Sequence, residues 1–213
     1  MLVTSKTTYL WKGLNTMPEN KHDAMAARTK ELIKETFVRL VEKEGFGGVS
    51  VRNLTASAGI NRGTFYLHYK DKYDLMEQIQ TEILDGLQKV MVVDISSVEL
   101  QQTYLDEQPY APFVCIFQYL HEHGGLIRLL LGPKGESGFP GKMKEVVSES
   151  FYKKLFNHHT FENNPSIPKE YLTAFSVSVF LGVTEEWLNQ DPPYSPEQIA
   201  VIYIKLLFFQ AFR

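Results

Sequence analysis

The chain reads as an all-α protein of about nine helices, with a small three-helix unit at the front and a larger helical body behind it. Three observations predict this. Apolar residues recur at three- and four-residue spacing through most of the 213 residues, the period of a helix with one buried face. No alternating run of strand length appears. Gly and Pro fall between the periodic stretches, at Gly45, Gly59, Gly124, Gly125, Pro168 and Pro196, where they end or begin helices.

Residues 1–20 hold no sustained period and contain Gly13 and Pro18, so they read as a flexible arm. From about Asp23 to Glu44, Ile33, Phe37, Leu40 and Val41 keep helical spacing, and Gly45 stops the helix as a residue tolerant of left-handed geometry. Ser50 is a suitable N-cap for a helix over Val51–Ala58, whose Leu54 and Ala58 share a face. Gly59 breaks that helix and Ile60 returns to the core. Asn61 caps a third helix through about His68, and Asp71 caps a fourth that carries Leu75, Ile79, Ile83 and Leu87 on one side. Ile33, Phe37, Phe46, Leu54, Ile60, Phe65 and Tyr69 are the expected core. A short helix, a glycine turn and a second short helix form a helix-turn-helix, whose second helix enters the DNA major groove. About fifty residues alone would be marginal, so the fourth helix is expected to brace them.

Beyond about Val93 the helices lengthen. One runs from Pro109, a favourable first-turn proline, to His121; Gly124–Gly125 interrupts before the apolar piece LIRLLL. GPKGESGFPG is a loop on composition. Further helices are expected over Lys142–Asn157, from Pro168 to Gln190, and from Pro196 to the C-terminus. In the last two, Phe175, Val179, Val183 and Trp187 form one strip with Leu172 and Phe180 beside it, and Ile199, Ile202, Leu206 and Phe209 form another beside Tyr203. Helices apolar over so much of their circumference need more than one neighbour. Two copies of the chain are therefore expected to pair through Leu172, Val179, Val183, Trp187, Ile199, Ile202, Tyr203, Leu206 and Phe209, as the reading of a palindromic DNA site requires.

Charge divides the chain in the same place. The net value of -3 conceals ten Lys or Arg against six Asp or Glu over residues 21–72, a local +4, and ten against eighteen over residues 73–213, a local -8. The basic part is the helix-turn-helix, and the remainder repels a phosphate backbone, so charge orients the molecule on DNA. The expected domains are a flexible arm over 1–20, a DNA-binding domain over 21–72 and a regulatory and dimerisation domain over 73–213. No apolar run approaches the ~20 residues of a membrane span, and the N-terminus carries no signal-peptide pattern, which together imply a cytoplasmic protein. Cys115 is the single cysteine and sits in the run FVCIF, which predicts a buried, unpaired thiol.

GVSVRNLTASAGINRGTFYLHYKDKYDL resembles the N-terminal DNA-binding domain of the TetR family of bacterial transcriptional regulators, in which capping residues, glycines and aromatics keep this order and spacing. The resemblance covers roughly residues 27–75. Phe65 stands where Leu is frequent and Tyr69 where Phe is frequent, and both keep the bulk. The remainder, through HEHGGL, FYKKLF, IPKEY and a Trp near the end of the penultimate helix, is more diffusely similar to a Firmicute branch associated with dihydroxyacetone kinase operons. That part implies architecture and not a ligand.

Asn61, Arg62 and Thr64 face outward if Ile60, Phe65 and Tyr69 face inward. Arg62 suits a bidentate contact to guanine and the Thr64 methyl suits thymine, while Gly63 lets the backbone approach the groove. The resemblance implies phosphate contacts from Tyr66, His68 and Lys72; Arg28, Thr29, Arg52 and Thr55 are further candidates for clamping the backbone. Tyr110, Phe113, Phe117, Phe151, Tyr171 and Phe175 offer an aromatic lining for a hydrophobic or aromatic small-molecule effector. His121 with His123 and His158 with His159 lack the i, i+4 spacing of a helical metal site, and no nucleophile stands beside a base. No metal, cofactor or catalysis is expected. The function implied is a homodimeric, ligand-responsive regulator, a repressor on a palindromic operator; the competing reading is a co-regulator or activator of the same fold that works through protein contacts.

Overall fold

The computed structural model describes residues 21–92, 96–157, 167–190 and 194–208. The arm over 1–20, His158, His159 and Phe209 lie outside them. Among the described residues every regular element is a helix: α1 (Lys21–Gly48), α2 (Val51–Ala58), α3 (Arg62–Tyr66), α4 (Lys72–Val90), α5 (Ser97–Leu105), α6 (Ala111–Glu122), α7 (Gly124–Leu131), α8 (Phe139–Asn157), α9 (Lys169–Asn189) and α10 (Pro196–Phe208).

Ten helices stand where about nine were expected, and the addition is α5. Its sequence SVELQQTYL has no apolar strip, and of it Leu100 alone is a buried hydrophobic. A cap creates the helix instead: the Glu99 N–H donates to Ser96 Oγ at 3.3 Å. The loop expected through Gly141 also ends early. Phe139 is fully buried and opens α8, and Pro140 sits in the first turn, where its missing N–H costs nothing.

Two compact units divide the described residues, those up to Gln80 with Pro133–Gly135, and those from Thr81 to Gly132 with those from Glu136 onward. The division falls inside α4. In the first unit α2 packs on α1 and on α3, around Ile33, Phe37, Val41, Leu54, Phe65, Tyr69, Leu75 and Ile79, all buried. Phe46 and Ile60, expected in that core, are half-buried. Phe46 meets Phe37 edge-on at 6.3 Å and Tyr73 at 5.2 Å, aromatic geometries that add to area burial.

In the second unit α9 packs against α7, α8 and α10, and α10 against α5 and α6. Its centre is aromatic. Phe117 contacts Trp187 at 5.6 Å and Phe180 at 6.0 Å, Phe113 meets the Tyr203 ring at 4.9 Å, and Phe151 meets Phe180 at 5.8 Å. Cys115 departs from expectation by being exposed: the helical period turns Phe113, Ile116, Phe117 and Leu120 inward and leaves its position outside. No helix among the described residues is long and apolar enough to cross a membrane.

The far half of α4 is held by a notch. Tyr119 on α6 donates its hydroxyl to the Ile83 carbonyl at 2.9 Å, and its ring lies against Gly86. A Cβ added at Gly86 would collide with the hydroxyl and come within 2.7 and 2.8 Å of ring atoms. Burial first, then the Asp85 carboxylate, push the Tyr119 phenol above its ordinary range, so it stays a donor. Gly86→Ala is expected to destabilise the protein by about 1–3 kcal/mol in urea denaturation. Tyr119→Ala made in the Gly86→Ala background should cost measurably less than in the wild type, because the collision is gone.

Candidate nucleic-acid interface

The two short helices are placed by caps at each end. Ser50 and Asn53 form a reciprocal box, the Asn53 N–H donating to Ser50 Oγ at 3.2 Å and the Ser50 N–H to Asn53 Oδ1 at 2.8 Å. Asn53 Nδ2 donates onward to Glu44 at 3.1 Å. α2 ends at Gly59, left-handed at φ 67, ψ 29, a conformation that favours glycine. Two residues later Asn61 caps α3: its Oδ1 accepts the Thr64 N–H at 2.9 Å and the Thr64 hydroxyl at 3.1 Å. Phe65, fully buried, sets the rotation of α3 about its axis.

That rotation exposes Asn61, Arg62, Gly63 and Tyr66, the last 57 % accessible, and leaves Thr64 half-buried. Arg28 and Arg52 are exposed. Leu67, absent from the expected set, is 81 % exposed; counting the helical wheel from Phe65 would have found it.

Four other expected contacts have different surroundings. Thr55 is buried and donates its hydroxyl to Val51 O at 2.8 Å and Arg52 O at 3.3 Å, so it cannot face a phosphate in this fold and serves α2 itself. Thr29 is half-buried and back-bonds to Met25 O at 2.9 Å. His68 is half-buried, and desolvation first, then the Lys30 charge, lower its pKa from the ordinary histidine value. Lys72 is half-buried too: its Nζ donates to the carbonyls of Val49 at 2.8 Å, Phe46 at 3.0 Å and Gly47 at 3.4 Å, and lies 4.7 Å from the Phe46 ring centroid. Phe46 and Gly47 follow Gly45, whose φ of 73 interrupts the helical ladder of α1, and Val49 follows the end of that helix. The Phe46 N–H meets Lys134 O at 2.9 Å, and Lys134 Nζ reaches Glu42 O.

The six aromatics expected to line an effector site do not share one environment. Tyr110, Phe113, Phe117 and Phe151 are buried, while Tyr171 and Phe175 are 73 % and 45 % exposed. The expected dimer surface divides likewise. Trp187, Ile199 and Tyr203 are buried inside the protomer's own core and cannot meet a second copy; Leu172, Val179, Val183 and Ile202 are half-buried and Leu206 is exposed. Trp187 spends its indole N–H on Tyr194 O at 3.1 Å, tying the end of α9 to the start of α10. His121 lies 5.9 Å from the Trp187 ring, and His123 Nδ1 is 2.9 Å from Tyr119 O. No group of three or more metal-ligating side chains occurs among the described residues.

Two family models match the chain. One, for bacterial regulatory proteins of the tetR family, covers residues 33–79, the helices just described; the other, for a transcriptional regulator C-terminal region, covers residues 107–208. The chain belongs to the TetR family of transcriptional regulators. Over 149 residues, 70 % of each chain, it is 28 % identical to a probable HTH-type transcriptional regulator, YttP of Bacillus subtilis strain 168. Among solved structures it is similar to NalD, the secondary repressor of the MexAB-OprM multidrug efflux pump in Pseudomonas aeruginosa, with a TM-score of 0.65 and 15 % identity over 87 % of this chain and 96 % of that one. It is also similar to the dihydroxyacetone kinase operon activator DhaS, with a TM-score of 0.55 and 16 % identity over 85 % and 95 % of the two chains. At these identities the structural likeness shows the fold alone, so for this TetR-family member the branch remains a loose resemblance.

The Lys72 geometry has a measurable consequence. Lys72→Met keeps the apolar stem but takes the charged donor from the Gly47 and Val49 carbonyls and leaves Phe46 O with the Val49 N–H, and is expected to lower stability by about 1.5–3 kcal/mol in urea.

Proposed function

We propose that this TetR-family regulator acts as a homodimer that represses transcription from a palindromic operator and responds to a small hydrophobic or aromatic effector. The observation that carries the DNA reading is the pose of α3, a capped five-residue helix with Phe65 buried beneath it and Arg62 and Tyr66 standing outward. So short an element gains affinity from contacts to phosphates around it and specificity from the few side chains that reach base edges. The surrounding excess of basic residues supplies the electrostatic attraction.

Dimerisation is supported by the second unit. Tyr171, Phe175 and Leu206 are exposed, and Leu172, Val179, Val183 and Ile202 are half-buried, on two helices that pack together. Apolar groups displayed side by side mark an interface. A two-fold pairing would present two copies of α3 to half-sites about 34–36 Å apart. The operator reading is tested by incubating the purified protein with random duplexes, amplifying what it retains and measuring the stoichiometry of the retained complex. Two protomers on an inverted repeat are expected; retention without sequence enrichment overturns the reading and favours a co-regulator. Arg62→Ala should lower discrimination at one base pair per half-site by about 1–3 kcal/mol, whereas an equal loss on unrelated duplexes would assign Arg62 to a phosphate.

Effector binding is supported by the aromatic core. The Tyr203 hydroxyl, fully buried, and the Thr184 hydroxyl have no hydrogen-bond partner among the described residues, and burial pushes the Tyr203 phenol well above its ordinary range. An unmatched buried hydroxyl costs about 1–3 kcal/mol, and an aromatic ligand bearing one acceptor would remove that cost. In the ligand-free protein Tyr203→Phe is therefore expected to hold or raise the urea midpoint. A clear loss of stability would show that the hydroxyl already has a partner.

A further inference from the structure

α3 advances about 100° per residue, and Leu67, with φ -70, ψ -22, continues its geometry. Counted from the buried Phe65, Gly63 and Leu67 both fall within about 20° of the opposite direction. Tyr66 and Arg62 lie on one flank and Thr64 on the other. The centre of the outward face is therefore a glycine and a leucine, and the leucine is 81 % exposed.

These two residues make a shaped feature together. Leu67 is one turn C-terminal to Gly63, and helical side chains lean toward the preceding turn, so the two positions share the outward strip. A Cβ placed on Gly63 would meet the Asn61 side chain at 3.2 Å and no other neighbour, which leaves the space above it open. The outward face is therefore apolar at its centre, with the exposed Arg62 on one flank.

We propose that this apolar centre meets the C5 methyl group of a thymine in the major groove, and that Leu67 is a specificity-determining residue of the operator contact. The inference rests on the DNA reading of α3. The occupant follows from chemistry. Among the groups that the four standard bases display in the major groove, the thymine methyl is the apolar one, and the exposed Arg52 and Arg62 draw a phosphate-bordered groove rather than an apolar partner. Arg62 and Leu67 then read different features: the guanidinium reads hydrogen-bond acceptors, and the leucine reads a methyl. An isolated methyl contributes little, so Leu67 discriminates by adding selectivity to a position fixed by the phosphate contacts.

The test uses the duplex enriched by the full-length protein and a set of duplexes in which deoxyuridine replaces each thymine in turn, which deletes the methyl and leaves the hydrogen-bonding edge intact. At one position in each half-site, deoxyuridine is expected to weaken wild-type binding about three- to fourfold, and roughly tenfold when both half-sites are changed. Leu67→Ala should bind the thymine and deoxyuridine forms of that position equally, while keeping the wild-type response at every other position. Leu67→Met, which restores apolar reach, should restore the penalty. Because Leu67 is exposed, both variants should melt with the wild type, which separates lost recognition from lost folding. Equal sensitivity of Leu67→Ala and wild type at every thymine, or no thymine at which the wild type responds, overturns the assignment and leaves Leu67 to a protein contact. Failure to enrich any sequence instead overturns the operator reading beneath it.

Discussion

A helix of five residues has no stability of its own. Nucleating a helix fixes several residues for one hydrogen bond, and isolated helices shorter than about 12–15 residues are marginal in water. α3 exists because Phe65 is buried beneath it and because Asn61 accepts the Thr64 N–H in its first turn. The same burial sets what α3 shows to the outside. With one side chain committed to the core, the wheel leaves no freedom in which residues face away, so packing and recognition are one constraint seen from two sides. A change that loosened Phe65 would blur every outward contact at once without touching any of them.

The second constraint is the satisfaction of backbone carbonyls. Gly45 breaks the α1 ladder at φ 73, and a helix that stops this way leaves acceptors without intrahelical partners. Lys72 meets three carbonyls after the break and Lys134 meets one before it. The break would otherwise be costly, since polar groups taken from water need partners. It also brings the first residue of α4 into contact with the turn that precedes α2, so a lysine suited to a phosphate becomes a tie that fixes the frame around α3.

Much of this was legible in the sequence. Ser50, Gly59 and Asn61 fall at the cap positions, and setting Ile60, Phe65 and Tyr69 inward placed Asn61, Arg62 and Thr64 outward, of which the structure exposes the first two and leaves Thr64 half-buried; Tyr66 came from the family resemblance. What was not legible depends on partners that residue letters do not name. Lys72 and Thr55 have the chemistry of phosphate contacts, but both spend it on backbone carbonyls, and a carbonyl is present at every position. Trp187, Ile199 and Tyr203 lie on strips that periodicity marks as buried, yet periodicity does not say which neighbour buries them, and the protomer's own α6 claims Tyr203 through Phe113 and Phe117. α5 escaped for the opposite reason: a cap and one buried leucine suffice for a short helix on a body already packed.

The sign of regulation does not follow from the fold, and the thermodynamics of a switch explains why. A ligand shifts an equilibrium only by its differential affinity for the two states, so repression and activation differ in which state the effector prefers and where the operator lies. In the proposed scheme, satisfying one buried hydroxyl is worth about 1–3 kcal/mol per protomer, and if the effector makes that contact in one state alone the gain is a coupling of roughly 5–150-fold. In a dimer both protomers contribute, and the product spans much of the ~10⁴-fold needed to carry a two-state equilibrium from one side to the other. A wholesale refolding of the body is therefore unnecessary. One unmatched phenol in each aromatic core, filled or left empty, is of the right magnitude to decide whether two copies of α3 hold a duplex.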